Sequence, residues 1–334
     1  MKLYKNIYII QSENDNLNFS KLVNEDSMCV YVNTYCGNRK LQPIEKCAKV
    51  VFLSKNTPDG FYKSTMIKRF RSILNVNLDF LNGVSCENLV ISVDGPIQKK
   101  IYRKLSKKNK LNVVCWNDGL LEKQSKNIIF HFKVLLQNIA SFLKIDYLVP
   151  GINSYSLFIN ELNLLTNSCV NSVLYNGSKA KNIKVVKFPR FETSPVNINL
   201  SVQKKRVLFV TSAFDWHGHK HVEDWECNTV KKLSNEYKSL ETDYDFCIRA
   251  HPRASENLKK IINESGLIST YEDAFKDIAM SNVVISFAST MLFEAQMQNK
   301  KIFVYEEGSP ECSRGDYIES LQKIRKIEKS IHEY

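Results

Sequence analysis

The chain has 334 residues, 43% hydrophobic and 25% charged, with a formal net charge of +12. That length can bury a sizeable core and suggests two domains, and the composition is that of an ordinary soluble globular protein, which excludes a disordered chain. Nine cysteines make no regular framework and no Cys-x-x-Cys pair, so neither a zinc site nor a thioredoxin-type site is supported and free thiols in a reducing compartment are expected.

Met1-Lys-Leu-Tyr-Lys leads straight into a strand-like run, so no signal peptide is expected and the chain reads as cytoplasmic. A first strand is predicted over 6–11 (Asn-Ile-Tyr-Ile-Ile-Gln), a helix over 17–23, and strands over 28–32 and 49–53. Residues 61–81 carry apolar side chains at roughly helical spacing. A strand over 88–93 ends in Asp94-Gly95-Pro96, and a basic helix follows over 97–108. The strand over 111–116 ends in Asn117-Asp118-Gly119. The longest apolar stretch, Asn127 to Ile145, is interrupted by His131, Lys133, Gln137 and Lys144. It is too polar to span a bilayer and fits an amphipathic or half-buried helix. Strands over 146–149 and 183–188 are predicted to complete a first sheet. Residues 191–205 are polar, lack helical period and contain Pro195, which marks a linker.

A second alternating set begins at Arg206. Strands are predicted over 207–210, 244–250, 283–287 and 302–305, with helices over 221–240, 271–280 and 289–298. A charged helix over 316–332 follows the last of these strands. Alternating strands and helices argue for parallel, doubly wound sheets. The simplest architecture is α/β, with two Rossmann-like domains facing across a cleft, 1–195 and 206–315, and a C-terminal helix over 316–334.

The positive charge is clustered. Lys99, Lys100, Arg103, Lys104, Lys107, Lys108 and Lys110 form one run; Lys68, Arg69 and Arg71 a second; Lys323, Arg325, Lys326 and Lys329 a third. Such runs favour anionic partners, or are simply solvated helix faces. No basic run is interleaved with aromatics in a recognisable nucleic-acid module, so nucleic acid is not expected.

Three short motifs fall at predicted strand ends, where open α/β sheets bind ligands. In Phe246-Cys-Ile-Arg-Ala-His-Pro-Arg253, Arg249, His251 and Arg253 place potentially cationic groups around a strand end, and Pro252 fixes the chain direction. A proton donor between guanidinium groups suits a departing phosphate; the bland alternative is a solvated turn. In Asn117-Asp118-Gly119 a carboxylate can act as general base on an acceptor hydroxyl, with Asp94 as competitor, and the alternative is a plain Asp-Gly turn. In Ser286-Phe-Ala-Ser289-Thr290, hydroxyls precede a helix, where they either bind phosphate or only cap. His217-Gly-His219-Lys-His221 has no acidic or Cys partner at metal-site spacing, and reads as a cleft-lining or solvated loop. Asp215 and Trp216 beside it could hold a sugar, the indole stacking on its apolar face.

In this order, Asn117-Asp118-Gly119, His251-Pro252 and Ser289-Thr290 resemble the three motifs of the bacterial sialyltransferases of the two-Rossmann-domain (GT-B) type, with Asn117 standing where that group has an acidic residue. The resemblance implies a CMP-sialic acid donor and inversion at the anomeric carbon, with Asp118 as general base. It implies His251 as general acid or phosphate ligand, Ser289 and Thr290 as phosphate ligands, and Glu272, by position, as a ribose contact. Arg249 and Pro252 would complete the donor side, and Asn117, Gly119, Asp215 and Trp216 are acceptor or cleft candidates. No DxD pair is present, so no cofactor and no essential metal are expected. The expected partners are a nucleotide-sugar donor and a glycan acceptor, galactose-terminated and lipid-linked, as in O-antigen, lipooligosaccharide or capsule. The basic runs would hold the enzyme peripherally at the anionic inner face of the plasma membrane. The rivals are a GT-B transferase using CMP-Kdo, CDP-glycerol or a UDP-sugar, and a non-catalytic polyanion-binding α/β protein.

Overall fold

A computed structural model describes residues 2–32, 35–36, 39–53, 71, 73–107, 110–117, 128–148, 158–165, 167–175, 178–192, 205–212, 214, 220–239, 244–267, 274–287, 289–305 and 323–324. The chain divides into two compact units, Met1–Glu192 and Thr193–Tyr334.

The first unit contains β1 (Lys2–Ile10), α1 (Glu13–Phe19), β2 (Ser27–Tyr31), β3 (Tyr35–Cys36), β4 (Arg39–Lys40), β5 (Lys49–Phe52), β6 (Val84–Ile91), α2 (Pro96–Leu105), β7 (Asn112–Asn117), α3 (Ile128–Phe142), β8 (Glu161–Leu164), α4 (Asn167–Tyr175) and β9 (Asn182–Val185). Seven strands form one sheet in the order β5-β2-β1-β6-β7-β8-β9, every neighbouring pair parallel, while β3 and β4 form a small antiparallel ladder. Successive residues of a strand point to opposite faces. Ile7, Ile9, Met28 and Val30 therefore enter one core, and Tyr8, Ile10, Cys29 and Tyr31 the other. Both faces are buried, which is why these strands read as unbroken apolar runs.

Local chemistry sets the turns. Ser12 caps α1 by accepting the Asp15 N–H at 3.1 Å, and Asp15 accepts the Gln11 N–H at 3.0 Å, a reciprocal cap. Pro96 opens α2, where its missing N–H costs nothing. Gly95 before it lets the Gln98 side chain approach closely: a Cβ would lie 2.6 Å from the Gln98 Oε1 and would push that side chain aside.

Two expectations change here. The predicted strand over 146–149 is instead a 3-10 turn, Asp146–Leu148. Arg103 grips the buried Asp146 carboxylate through Nε at 2.9 Å and Nη2 at 3.0 Å, and the next strand among the described residues is β8. Nor is the basic run of α2 a uniformly solvated face. Lys99 is buried 3.8 Å from Asp94, and Lys100 donates to the carbonyls of Ile73, Leu74 and Val76 at 2.8–3.0 Å. Lys104 donates to the Leu78 carbonyl at 2.6 Å. These cations lie at the carbonyl end of the turn around residues 71–74, where the Ile73 carbonyl also accepts the Val76 N–H at 3.4 Å. Of the helix predicted over 61–81, residues 61–70 lie outside the described residues; 71, 73 and 74 are helical, and Asp79–Leu81 is a 3-10 turn.

The second unit contains β10 (Lys205–Val210), α5 (Lys220–Ser239), β11 (Tyr244–Arg249), α6 (Glu256–Ser265), α7 (Ala274–Ala279), β12 (Val283–Ser286), α8 (Met291–Met297), β13 (Lys301–Tyr305) and β14 (Lys323–Ile324). Its sheet runs β11-β10-β12-β13-β14, all parallel. The helix expected over 316–334 is corrected at 323–324, which pair with Val304 and Tyr305 as an added strand; the rest of that segment lies outside the described residues. Of the linker expected over 191–205, residues 193–204 do likewise.

In the first sheet the strand order reverses beside β1, with β2 on one side and β6 on the other. In the second it reverses beside β10, flanked by β11 and β12. Both units are doubly wound and Rossmann-like, and each opens a crevice at the carboxyl ends of the strands where the order reverses.

Candidate functional site

In the second unit the crevice is built by the residues that follow β10, β11 and β12. The backbone ladder continues one step past β10: Thr211 N–H donates to the Arg249 carbonyl at 3.0 Å, and the fully buried Thr211 Oγ1 accepts the His251 N–H at 3.0 Å. His251 is thereby fixed beside the end of β10. Its Nδ1 accepts the Arg253 N–H at 3.1 Å, which leaves the proton of the neutral ring on Nε2. Pro252 lies in the turn between them.

On the other side of β10, the Ser286 hydroxyl donates to the Val210 carbonyl at 2.8 Å. Ser289 accepts the Met291 N–H at 3.2 Å, while Thr290, at the N-cap of α8, makes no side-chain capping bond. The capping expected of this pair is therefore a short turn made by Ser289. His251 and Ser289 follow strands that flank β10, and two inter-strand steps set strands about 10 Å apart.

Arg249 also makes a contact within the unit. Its guanidinium pairs closely with Asp277 on α7, whose carboxylate is fully buried, and the Arg206 Nη2 lies 3.9 Å from the second Asp277 oxygen. The pair ties α7 to β11 and places compensating negative charge against Arg249.

Two residues at this edge were not singled out from the sequence. Thr211 is one. The other is Glu226 on α5, which is 1% exposed and accepts the Ser212 N–H at 2.6 Å. Burial, reinforced by the nearby Glu223, raises its carboxyl from 4.5 to about 8, although the Ser212 hydrogen bond opposes the shift. Glu223 in turn accepts the Ser255 hydroxyl, and Ser255 caps α6 through the Leu258 N–H at 3.1 Å. A signal for Glu226 existed: it occupies the apolar stripe of Val222, Val230, Leu233 and Tyr237 at helical spacing, all of them fully buried. Below lies an aromatic cluster in which Phe287 meets Trp225 at 4.5 Å and Phe209 at 5.1 Å.

In the first unit, the ends of β1, β6 and β7 gather Gln11, Ser92, Asp94, Gln98 and Asn117. Gln98 donates to the Gln11 side-chain oxygen at 2.7 Å. The buried Asn117 donates to the Ser92 carbonyl at 3.3 Å, so its amide braces β7 to β6. Asp94, the competing carboxylate, is 4% exposed beside the buried Lys99 ammonium. Asp118, Gly119, Asp215, Trp216, His217, His219 and Glu272 lie outside the described residues. Among the described residues no group of three or more His, Cys, Asp or Glu side chains could hold a metal ion, and no described helix is long and apolar enough to cross a membrane.

No protein-family model matches the chain, and no curated protein matches it either. Solved structures do. A structure of the wall teichoic acid polymerase TagF with CDPG aligns over 96% of this chain and 76% of its own, at 13% identity and a TM-score of 0.54. A putative UDP-N-acetylglucosamine 2-epimerase from Listeria monocytogenes aligns over 96% of this chain and 83% of its own, at 11% identity and a TM-score of 0.56. The UDP-GlcNAc 2-epimerase from Neisseria meningitidis, bound to UDP-GlcNAc, aligns over 95% and 85%, at 11% identity and 0.53. At such identities the likeness speaks to architecture, and the architecture of this chain is the GT-B fold, with two Rossmann-like α/β units.

Proposed function

We propose that the chain is an inverting glycosyltransferase that moves sialic acid from CMP-sialic acid to a terminal sugar hydroxyl, galactose first, of a surface glycan. The observation that carries this reading is the fixed ring of His251. With Nδ1 accepting the Arg253 N–H, the ring proton sits on Nε2, so the side chain serves as a hydrogen-bond and proton donor at the end of β11. Ser289 and Thr290 add hydroxyls across β10. In the proposed reaction the acceptor oxygen forms a bond to the anomeric carbon as the bond to the CMP phosphate oxygen breaks. Asp118 takes the acceptor hydroxyl proton, and His251 donates to the phosphate as its negative charge develops. Glu226 and Thr211 hold the chain segments around that phosphate in place. The shared fold with proteins that act on or bind nucleotide sugars supports the donor class. No metal enters this scheme.

A second reading draws on the TagF likeness, whose structure was soaked with CDPG: the same groups would receive a cytidine monophosphate leaving group from CDP-glycerol. CMP release distinguishes donor classes only when the acceptor product is weighed. The test incubates the protein, in EDTA, with CMP-sialic acid, CMP-Kdo, CDP-glycerol or UDP-sugars, with and without a galactose-terminated acceptor. Acceptor-stimulated CMP release from CMP-sialic acid, with the matching mass gain, is the expected result. Turnover confined to CDP-glycerol selects the second reading. Steeply salt-dependent polyanion binding without turnover of any donor overturns both.

A further inference from the structure

Helix α3 carries an exposed apolar stripe. Phe132, Leu135, Leu136, Ile139, Phe142 and Leu143 recur at intervals of three and four, the spacing of a single helical stripe, and all are 40–86% exposed. Among the described side chains of this helix Ala140 is buried, and Gln137 and Ser141 are half-buried. Ser141 is held there by Arg103 of α2, whose Nη2 donates to the Ser141 hydroxyl at 3.1 Å and to its carbonyl at 3.3 Å. The helix also ends firmly. Lys144 adopts a left-handed conformation with φ 59°, its N–H donating to the Ser141 carbonyl, and the Ile145 N–H donates to the Ala140 carbonyl at 2.8 Å. This is a Schellman stop, so the apolar stripe ends at a defined turn.

The charge around the stripe identifies what covers it. No Asp or Glu occurs from residue 123 to 145, while Lys123, Lys126, Lys133 and Lys144 do. Asp146, the first acid beyond, is buried against Arg103. Lys107, four residues past Arg103, is exposed. A second copy docked stripe to stripe would bring like charges together. An anionic surface with an apolar interior satisfies both components.

We propose that the α3 stripe is a membrane-seating surface: the helix lies in the plane of an anionic bilayer, with its six apolar side chains among the acyl chains and the neighbouring lysines at the headgroups. The inference is independent of the transfer reaction. It also places the apolar contribution on a different element from the basic side chains of α2, several of which hold the fold together.

The test measures sedimentation of the full chain with phosphatidylcholine vesicles, with and without about 30% phosphatidylglycerol. The wild type is expected to bind the anionic vesicles and to retain part of that binding at high salt. A Leu135→Ser, Ile139→Ser, Phe142→Ser triple variant, checked for native circular dichroism, should bind at least about tenfold more weakly. In a separate Phe142→Trp variant, added anionic vesicles should shift the new indole's emission to the blue. Equal binding by wild type and triple variant overturns the proposal in favour of the basic runs alone. A wild-type dimer that the triple variant converts to monomer, with no vesicle binding by either, overturns it in favour of a second copy. Turnover of a soluble acceptor, measured alongside, should be the same in both proteins whatever the donor proves to be.

Discussion

His251 and Arg253 are joined through the ring: the Nδ1 atom accepts the Arg253 backbone N–H at 3.1 Å. A residue two positions along the chain therefore determines which ring nitrogen carries the proton. An asparagine can reproduce the acceptor at the Nδ1 position but has no counterpart of Nε2–H. His251→Asn should therefore keep the turn and lose the donor. Expected is a fall in kcat of about a hundredfold or more, with a thermal midpoint close to wild type. Near-normal CMP release by this variant would remove His251 from the reaction.

Glu226 ties stability to pH. Its folded-state carboxyl is raised from 4.5 to about 8, so between those values the native chain holds a proton that the unfolded chain has released. The stabilisation is fully present below about 4.5, declines as pH rises, and is gone above about 8. Glu226→Gln keeps an acceptor for the Ser212 N–H and cannot ionise. The variant should gain on the wild type as pH rises, levelling off above pH 8 at a difference on the order of 5 kcal/mol. Urea unfolding of both proteins from pH 5 to 9 measures it; parallel curves would show that Glu226 does not titrate in this range.

Arg249 illustrates how a binding phenotype can mislead. Among the described residues, removing its guanidinium leaves the fully buried Asp277 with Arg206 as its charge compensation. Arg249→Met should cost about 3 kcal/mol of stability, and adding Asp277→Asn should recover part of it. Loss of donor affinity in the single variant with recovery in the double would assign Arg249 to the fold; loss in both would place it at the ligand.

Lys100 offers a test with no chemistry in it. It donates to three carbonyls at 2.8–3.0 Å, and its own pKa is lowered by burial and by Lys104. Lys100→Met should destabilise the chain by about 1–2 kcal/mol and leave turnover unchanged. Lys107→Met, at an exposed position, should change stability by less than about 0.5 kcal/mol.

The strands were legible because parallel sheets bury both faces and leave short apolar runs with polar ends. Where that signature fails, so does the reading. In β8 the run Glu-Leu-Asn-Leu is broken by Asn163, and the helix after it went unrecognised. Asp146 begins what looks like a strand, and only Arg103, 43 positions earlier, makes it a buried turn. Helix α6 had a legible start and stop, with Ser255 as cap and Gly266 at φ 73°, but its apolar residues are too few to announce it. At the candidate site, the His-Pro and Ser-Thr motifs were visible because they sit at strand ends. Thr211 and Glu226 act through a neighbour's backbone, and a contact between distant segments leaves no local pattern.

The order β11-β10-β12-β13-β14 has a consequence for synthesis. From β10 onward towards β14, each strand is added at the outer margin of those already made. Until residues 323–324 arrive, Val304 and Tyr305 of β13 lack the backbone partners that β14 supplies. An uncovered parallel edge of that kind recruits other chains. Nascent or truncated forms ending between β13 and β14 are the ones expected to need a chaperone.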